Sequence, residues 1–265
     1  HYDLGNNFYK LWLDSSMTYS SAIFSNRNIE LYDAQINKYE QIAKPLKLNE
    51  NSQVLEIGCG WGGFASYAAK NFGSNVTAIT ISKEQYEFAT KRIFKEGLND
   101  KVCIEMKDYR DVKEKYNNIV SIEMFEAVGK KYWDIFLDII KQSLHNEGLA
   151  SLQIITIDDA KAKFYQSNPD FIQKYIFPGG ILPSKNQLKK INIQLGLSFN
   201  EIASYKNSYV KTLAAWNEKF QNSWPIIASQ GFNLRFKKMW EFYFFYCQAG
   251  FISGNTDVSQ FIIKK

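Results

Sequence analysis

The stretch Val54-Leu55-Glu56-Ile57-Gly58-Cys59-Gly60-Trp61-Gly62-Gly63 decides the fold. It begins as a short apolar run of strand type and then places four glycines within six positions. A strand that ends in such a turn and opens a helix is the context of a nucleotide-binding loop. There the missing Cβ lets the backbone turn tightly and approach a ligand. Gly58, Gly60 and Gly63 also satisfy G-x-G-x-x-G, a spacing that by itself is compatible with a dinucleotide.

Two neighbouring features favour S-adenosylmethionine (SAM) instead. Glu56 lies just before the first glycine, in the E-x-G-x-G form found in methyltransferases, where a carboxylate can order the loop beside a cationic ligand. The next strand, expected over Val76–Ile81, ends without the acid that NAD enzymes use to grip a ribose. Thr80, Ser82 and Gln85 offer neutral hydrogen bonds there. Asp108 and Tyr109 follow the third strand and either meet the adenine or, for Asp108, cap a loop.

Outward from the loop the pattern alternates. Strands are expected at 54–57, 76–81, 102–106, 119–122 and 149–157, and helices at 62–71, 83–96 and 132–144, the second closed by Gly97. This alternation implies an α/β, doubly wound, mostly parallel sheet of the Rossmann-like class I methyltransferase type. The reading is one domain over residues 1–265. Residues 1–50 form a helical N-terminal cover, clearest at Asn28–Ala43. Residues 51–157 form the cofactor core, and 158–265 supply substrate-pocket helices, including Phe236–Cys247, and the last strands. Trp240–Tyr246 reads as core or pocket wall rather than membrane anchor. His145 reads as a helix cap.

Composition narrows the function classes. Net charge is +5 without a dense basic block, so nucleic acid is not indicated, whereas weak attraction to an anionic membrane surface is compatible. Cys59, Cys103 and Cys247 form no CxxC pair, and only His1 and His145 accompany them, so no metal site is expected and a reducing cytoplasm fits. No apolar run approaches the ~20 residues of a membrane span. Aromatic residues make up 16% of the chain, enough for a large aromatic core or an apolar ligand pocket. The chain starts at His1 rather than Met, so a preceding segment is expected.

Beyond the cofactor loop the chain resembles the cyclopropane-fatty-acyl-phospholipid synthases and mycolic acid cyclopropane synthases. The resemblance is carried by His1–Asn6, Met17–Ser20, Leu55–Gly63, Ile79–Gln85, Asp108–Asp111, Ser121–Gly129, Phe171–Ser184 (FIQKYIFPGGILPS) and Tyr209–Trp216. It implies methyl transfer from SAM to the double bond of an unsaturated acyl chain of a phospholipid, at the inner face of the membrane. A homodimer formed through an N-terminal region is also implied. Tyr19 and Ser20, in Met17–Ser20, and Glu123, in Ser121–Gly129, are assigned to the cofactor with Glu56, Gly58, Gly60, Gly62, Thr80, Ser82, Gln85, Asp108 and Tyr109. Glu123 would face either the ligand or a loop backbone.

An alkene is a weak nucleophile, so methylation needs a dry, oriented site and leaves a carbocation. Tyr19, Phe125 and Tyr209 are candidates to stabilise it with their faces. The resemblance further implies a bound bicarbonate as base, in a cradle of cysteine, glutamate, histidine and tyrosine. Glu126 in MFEAVG and Tyr209 match two of these. Ser21 stands at the cysteine position and Gln153 at the histidine position. Glutamine cannot become cationic or relay a proton as imidazole does. The expectation is therefore altered cation resolution, with a methyl- or methylene-branched chain as an alternative to the ring. A non-lipid acceptor and a catalytically dead lipid-binding homologue stay open as further alternatives.

Overall fold

The structure is a computed structural model that describes residues 4–26 and 28–265. The segment His1-Tyr2-Asp3 lies outside the described residues. In chain order the elements are α1 (Asn6–Tyr9), α2 (Leu31–Ala43), β1 (Gln53–Ile57), α3 (Gly63–Phe72), β2 (Asn75–Thr80), α4 (Lys83–Lys95), β3 (Val102–Met106) and β4 (Tyr116–Ile122). They continue with α5 (Phe125–Val128), α6 (Trp133–Ser143), β5 (Leu144–Ile157), α7 (Asp159–Ser167), α8 (Lys185–Gln194) and β6 (Ser198–Ser204). α9 (Lys206–Asn222), α10 (Trp224–Ser229), α11 (Leu234–Ile252) and β7 (Thr256–Lys264) complete the chain.

The seven strands form one sheet in the order β3-β2-β1-β4-β5-β7-β6. β1 to β5 pair in parallel, and β7 runs antiparallel between β5 and β6. Parallel strands are buried on both faces, which explains the nearly continuous apolar runs. Successive residues point to opposite faces. Leu55, Ile57, Ile119, Leu152 and Ile154 pack on one side with Phe136 and Leu188. Val54, Val76 and Val120 pack on the other with Ile42, Phe64 and Ala68.

The carboxyl ends of β1, β2, β3 and β4 point the same way, because the parallel strands are joined by right-handed crossovers whose helices cover the two faces of the sheet and leave the strand ends facing a common crevice. A third cluster covers that edge. Trp12, from the N-terminal segment, sits fully buried with its ring edge against Trp216 of α9 and Phe244 of α11, and tilted against Trp240. This aromatic lid is built from three distant parts of the chain.

Three local expectations change. Among the described residues from Asn6 onward the N-terminal cover is helical in α1, α2 and the 3-10 turn Lys44–Leu46, and the described backbone between α1 and α2 is irregular. It is tied down instead by donors such as Gln35 Nε2 to Ser20 O and Asn37 Nδ2 to Ile23 O. β5 starts at Leu144, five residues earlier than expected, and its pairing with β4 jumps from Tyr116↔Leu144 to Asn118↔Leu149. His145 therefore lies in this bulged strand start and caps no helix; Leu144 closes α6. The Trp240–Tyr246 run divides by helical period: Trp240, Tyr243 and Phe244 are buried, while Phe242 and Phe245 are 50% and 56% exposed.

Candidate active site

A cavity of about 360 Å³ occupies the crevice at the strand ends. Tyr19, Ser20, Glu56, Gly58, Gly60, Thr80, Ser82, Gln85, Asp108, Tyr109 and Glu123 all line it. Gly62 does not reach the wall. It lies one step back, at φ +80, where its backbone turns into α3 and passes close to Ala89. Gly58 has φ +79, and a Cβ there would sit 2.6 Å from Met124 Cγ, so only glycine fits the turn. Gly63 passes under the Tyr39 hydroxyl, which shares a 2.6 Å hydrogen bond with Thr18 Oγ1. The N-terminal segment is thereby locked to the glycine loop.

The neutral side of the cavity is preorganised. Thr80 Oγ1 donates to Gln85 Oε1 at 2.9 Å, accepts from Ser82 N at 3.1 Å, and Ser82 caps α4. Asp108 caps a loop, one of its two expected roles, at the wall of the cavity. Its Oδ1 accepts from the Arg110 backbone N–H at 2.9 Å as the cap of a 3-10 turn. The Arg110 guanidinium also holds the Asp108 carboxyl below the usual carboxylate range.

Glu56 fits a cationic ligand. It is buried, and its Oε2 has no hydrogen-bond partner. Burial pushes its pKa up to about 8, opposed by the Ala65 backbone N–H and by Lys38. A buried carboxylate oxygen without a partner is costly unless a ligand supplies one. The residues present therefore suit SAM, whose amino-acid end brings an ammonium.

At the inner end of the cavity lies a polar cluster centred on Glu123, which follows β4 at φ +50, a conformation rare for a residue with a side chain. Glu123 Oε1 accepts from Ser21 N and from Gln153 Nε2, both at 2.8 Å. Glu123 Oε2 accepts from Tyr209 Oη at 2.8 Å. The pairing Ile122↔Gln153 brings β5 alongside, so the Glu123 N–H also donates to Gln153 O at 2.8 Å. Gln153 is itself oriented by Gln260, whose Nε2 donates to Gln153 Oε1 at 3.0 Å. Burial raises the Glu123 pKa, countered by Gln153, Lys38, Ser21 and Tyr209.

Glu126 sits apart from these partners. Its Oε1 accepts from Ile155 N at 2.5 Å, and its Oε2 is buried without a partner. Burial, and next the neighbouring Glu123 charge, push its pKa up to about 8. Ser21, Gln153 and Tyr209 were expected to gather around Glu126; they gather around Glu123. The implied bicarbonate does not fit these residues. Both Gln153 amide hydrogens are taken, by Glu123 and by Ser21 O at 3.2 Å, Tyr209 gives its proton to Glu123, and Ser21 Oγ donates to Ala22 O.

Phe125 is a correction. It turns away from the cavity, 5.6 Å from Trp133 and 5.4 Å from Phe136, within the core under the sheet. In the four-residue helix α5 only one side can face the cavity. Tyr19 and Tyr209 do border the aromatic lid, each beside Trp216.

Lys38 and Gln35 escaped the sequence reading. Lys38 is fully buried, and its Nζ donates to Ser20 Oγ and Gln35 Oε1, both at 2.7 Å. Burial lowers its pKa to about 7. The signal was present: Gln35 and Lys38 share the buried stripe of α2 with Leu31, Ala34 and Ile42, where polar residues are out of place.

Residues 1–261 match the family described as mycolic acid cyclopropane synthetase. Tuberculostearic acid methyltransferase UfaA1 of Mycobacterium tuberculosis is 37% identical, across 99% of this chain and 63% of that protein. A cyclopropane-fatty-acyl-phospholipid synthase of Escherichia coli is 36% identical, across 100% of this chain and 66% of that protein. The chain thus spans about two thirds of these relatives' length. Among solved structures, the cyclopropane synthase MmaA2 from Mycobacterium tuberculosis superposes with a TM-score of 0.92 at 28% identity, covering 100% of this chain and 96% of that one. The mycolic acid cyclopropane synthase CmaA1, complexed with SAH and CTAB, gives the same TM-score at 29% identity and the same coverage.

Proposed function

The chain belongs to the mycolic acid cyclopropane synthetase family of SAM-dependent methyltransferases, and on that premise we propose that it methylates the double bond of an unsaturated acyl chain carried by a phospholipid. One observation carries the reading. Tyr19 lines the cofactor cavity, while its ring packs against Trp12, Phe177 and Trp216 of the aromatic lid. The cavity therefore borders a dry aromatic region suited to a hydrocarbon chain rather than to a polar acceptor.

SAM, when bound, supplies an electrophilic methyl group. The protein's own residues do the rest. Glu56 would hold the ligand's ammonium end, the Thr80–Ser82–Gln85 network and Asp108 would hold its polar nucleoside end, and the glycine loop would let both approach the backbone. The aromatic lid excludes water, without which a carbocation on the acyl chain would be quenched. Tyr19 and Tyr209 present ring faces near that cation. Removal of a proton from the added methyl closes a cyclopropane ring; removal from the chain carbon beyond the cation leaves a methyl-branched alkene; a 1,2-hydride shift followed by removal from the methyl leaves a methylene branch.

Access from a membrane is supported by the outer side of α11, where Phe242 and Phe245 are exposed, together with the net charge of +5. No helix among the described residues is long and apolar enough to cross a membrane. We place the enzyme at the cytoplasmic membrane face, in peripheral contact. The test is release of S-adenosylhomocysteine from labelled SAM in the presence of vesicles. Mono-unsaturated phospholipid should support it and fully saturated phospholipid should not; equal release with both would refute the reading.

A further inference from the structure

We propose that Glu123 is a built-in base, its carboxylate standing where the resemblance implies a bound bicarbonate and accepting the proton that the methylated acyl chain loses. This deepens the methyl-transfer reading above and rests on it.

The resemblance assigns the anion to donors from the positions of Ser21, Gln153 and Tyr209. In this chain a covalently attached carboxylate collects those same three partners at 2.8 Å. Glu123 is held for the purpose. Its φ of +50 is strained for a residue with a Cβ, and such strain persists only where the surroundings enforce it. Here they do so through the Gln153 backbone carbonyl, which takes the Glu123 N–H, and through the three donors to the side chain.

Counting lone pairs identifies the accepting atom. Each carboxylate oxygen offers two acceptor sites. Oε1 is saturated by Ser21 N and Gln153 Nε2, whereas Oε2 receives only Tyr209 Oη. One site on Oε2 is left for a proton. Glutamine at 153 now has a reason. Its carbonyl is pinned by Gln260, so its amide can only donate toward Glu123, and it cannot take up the proton itself as an imidazole would. Glu126 remains a separate carboxyl whose Oε1 is fixed by Ile155 N.

The step balances without further reagents. For the ring, a C–H bond of the added methyl breaks and its electron pair forms the C–C bond to the cationic carbon. For an alkene, a C–H bond on a carbon beside the cation breaks and its pair forms the C=C bond. In either case the proton moves to Glu123 Oε2. The protonated carboxyl then returns the proton to solvent through the cavity that Glu123 lines. SAM provides the methyl group, as in the reading above, and no oxidant or reductant is involved.

The experiment has two arms, using the whole chain. In the first, 13C-labelled bicarbonate is titrated into the protein bound to S-adenosylhomocysteine and followed by 13C NMR. Wild type should show no saturable binding at millimolar bicarbonate, while Glu123→Gly, which relieves the strained φ and empties the carboxylate position, should bind it. Saturable binding to wild type no weaker than to Glu123→Gly would overturn the proposal, whatever the lipid assay shows. In the second arm turnover is measured in carbonate-depleted buffer. Wild type should be indifferent to added bicarbonate, and Glu123→Gln should lose about 100-fold or more in kcat with the SAM KM nearly unchanged. Glu123→Gly should be partly rescued by bicarbonate. Strong stimulation of wild type by bicarbonate, or near-normal kcat in Glu123→Gln, would refute the base role. Absence of turnover in wild type with any unsaturated lipid would instead count against the acyl-methylation reading, and the NMR arm would still decide whether Glu123 fills the anion position.

Discussion

Tyr209 Oη donates a 2.8 Å hydrogen bond to Glu123 Oε2, joining α9 of the lid to the loop after β4 across 86 residues of sequence. The bond ties the substrate cover to the floor of the cofactor cavity. Tyr209→Phe removes the donor and leaves the rest of the ring packing. We expect a loss of about 1–3 kcal/mol in stability, since a buried carboxylate oxygen loses its partner. The bond also lowers the Glu123 pKa, so the acid limb of the kcat profile should move to higher pH in the variant. A purely structural role would leave that limb in place.

Glu126 gives a pH dependence of stability. Its pKa is raised from 4.5 to about 8 in the folded chain, so the folded state holds its proton more tightly than the unfolded state does. The associated stability is complete below the unfolded value and is lost as pH rises through the folded one. Urea unfolding of the ligand-free protein should weaken from pH 5 to pH 8, this group contributing at most about 1.4 kcal/mol per pH unit. Glu126→Gln should flatten the profile.

Glu56→Gln should separate binding from folding. The unpartnered, buried Oε2 is a burden to the ligand-free protein and an attraction to a cationic ligand. Calorimetry with S-adenosylhomocysteine should show affinity reduced by about tenfold or more, the worth of one charge-assisted hydrogen bond. The thermal midpoint of the ligand-free variant should be no lower than that of wild type at pH 8.

Trp12→Ala tests the lid. The indole is fully buried and touches rings from α9 and α11. Truncation should cost about 3–5 kcal/mol in denaturant unfolding. It should also slow turnover through loss of the dry pocket more than it weakens cofactor affinity.

The sheet and its cofactor loop were legible because short apolar runs alternate with longer amphipathic stretches from Gln53 to Ile157, and because four glycines mark one turn. Every strand of that region lies within one residue of where the pattern put it, apart from β4, which starts three residues early, and β5, which starts five residues early where the β4–β5 pairing shifts register. The β7 insertion between β5 and β6 was not legible, since strand order there depends on pairing across more than 100 residues. The site was legible as a set of residues but not as a geometry. Motif positions supplied Ser21, Gln153, Tyr209 and Glu123, yet nothing in the sequence says that the first three point at Glu123 rather than Glu126. That choice is made by the left-handed turn at Glu123 and by the β4–β5 register. Phe125 was misread for a similar reason, because a four-residue helix leaves no periodicity from which to tell its inner side.

The most direct test of the account follows the transferred carbon. SAM labelled with 13C at its methyl group is incubated with the protein and mono-unsaturated phospholipid vesicles, and the extracted acyl chains are examined by NMR and mass spectrometry. The account predicts the label on a carbon attached at the former double bond, as a ring methylene or a branch. Label in the headgroup, or none in lipid while S-adenosylhomocysteine accumulates with another acceptor, would contradict it.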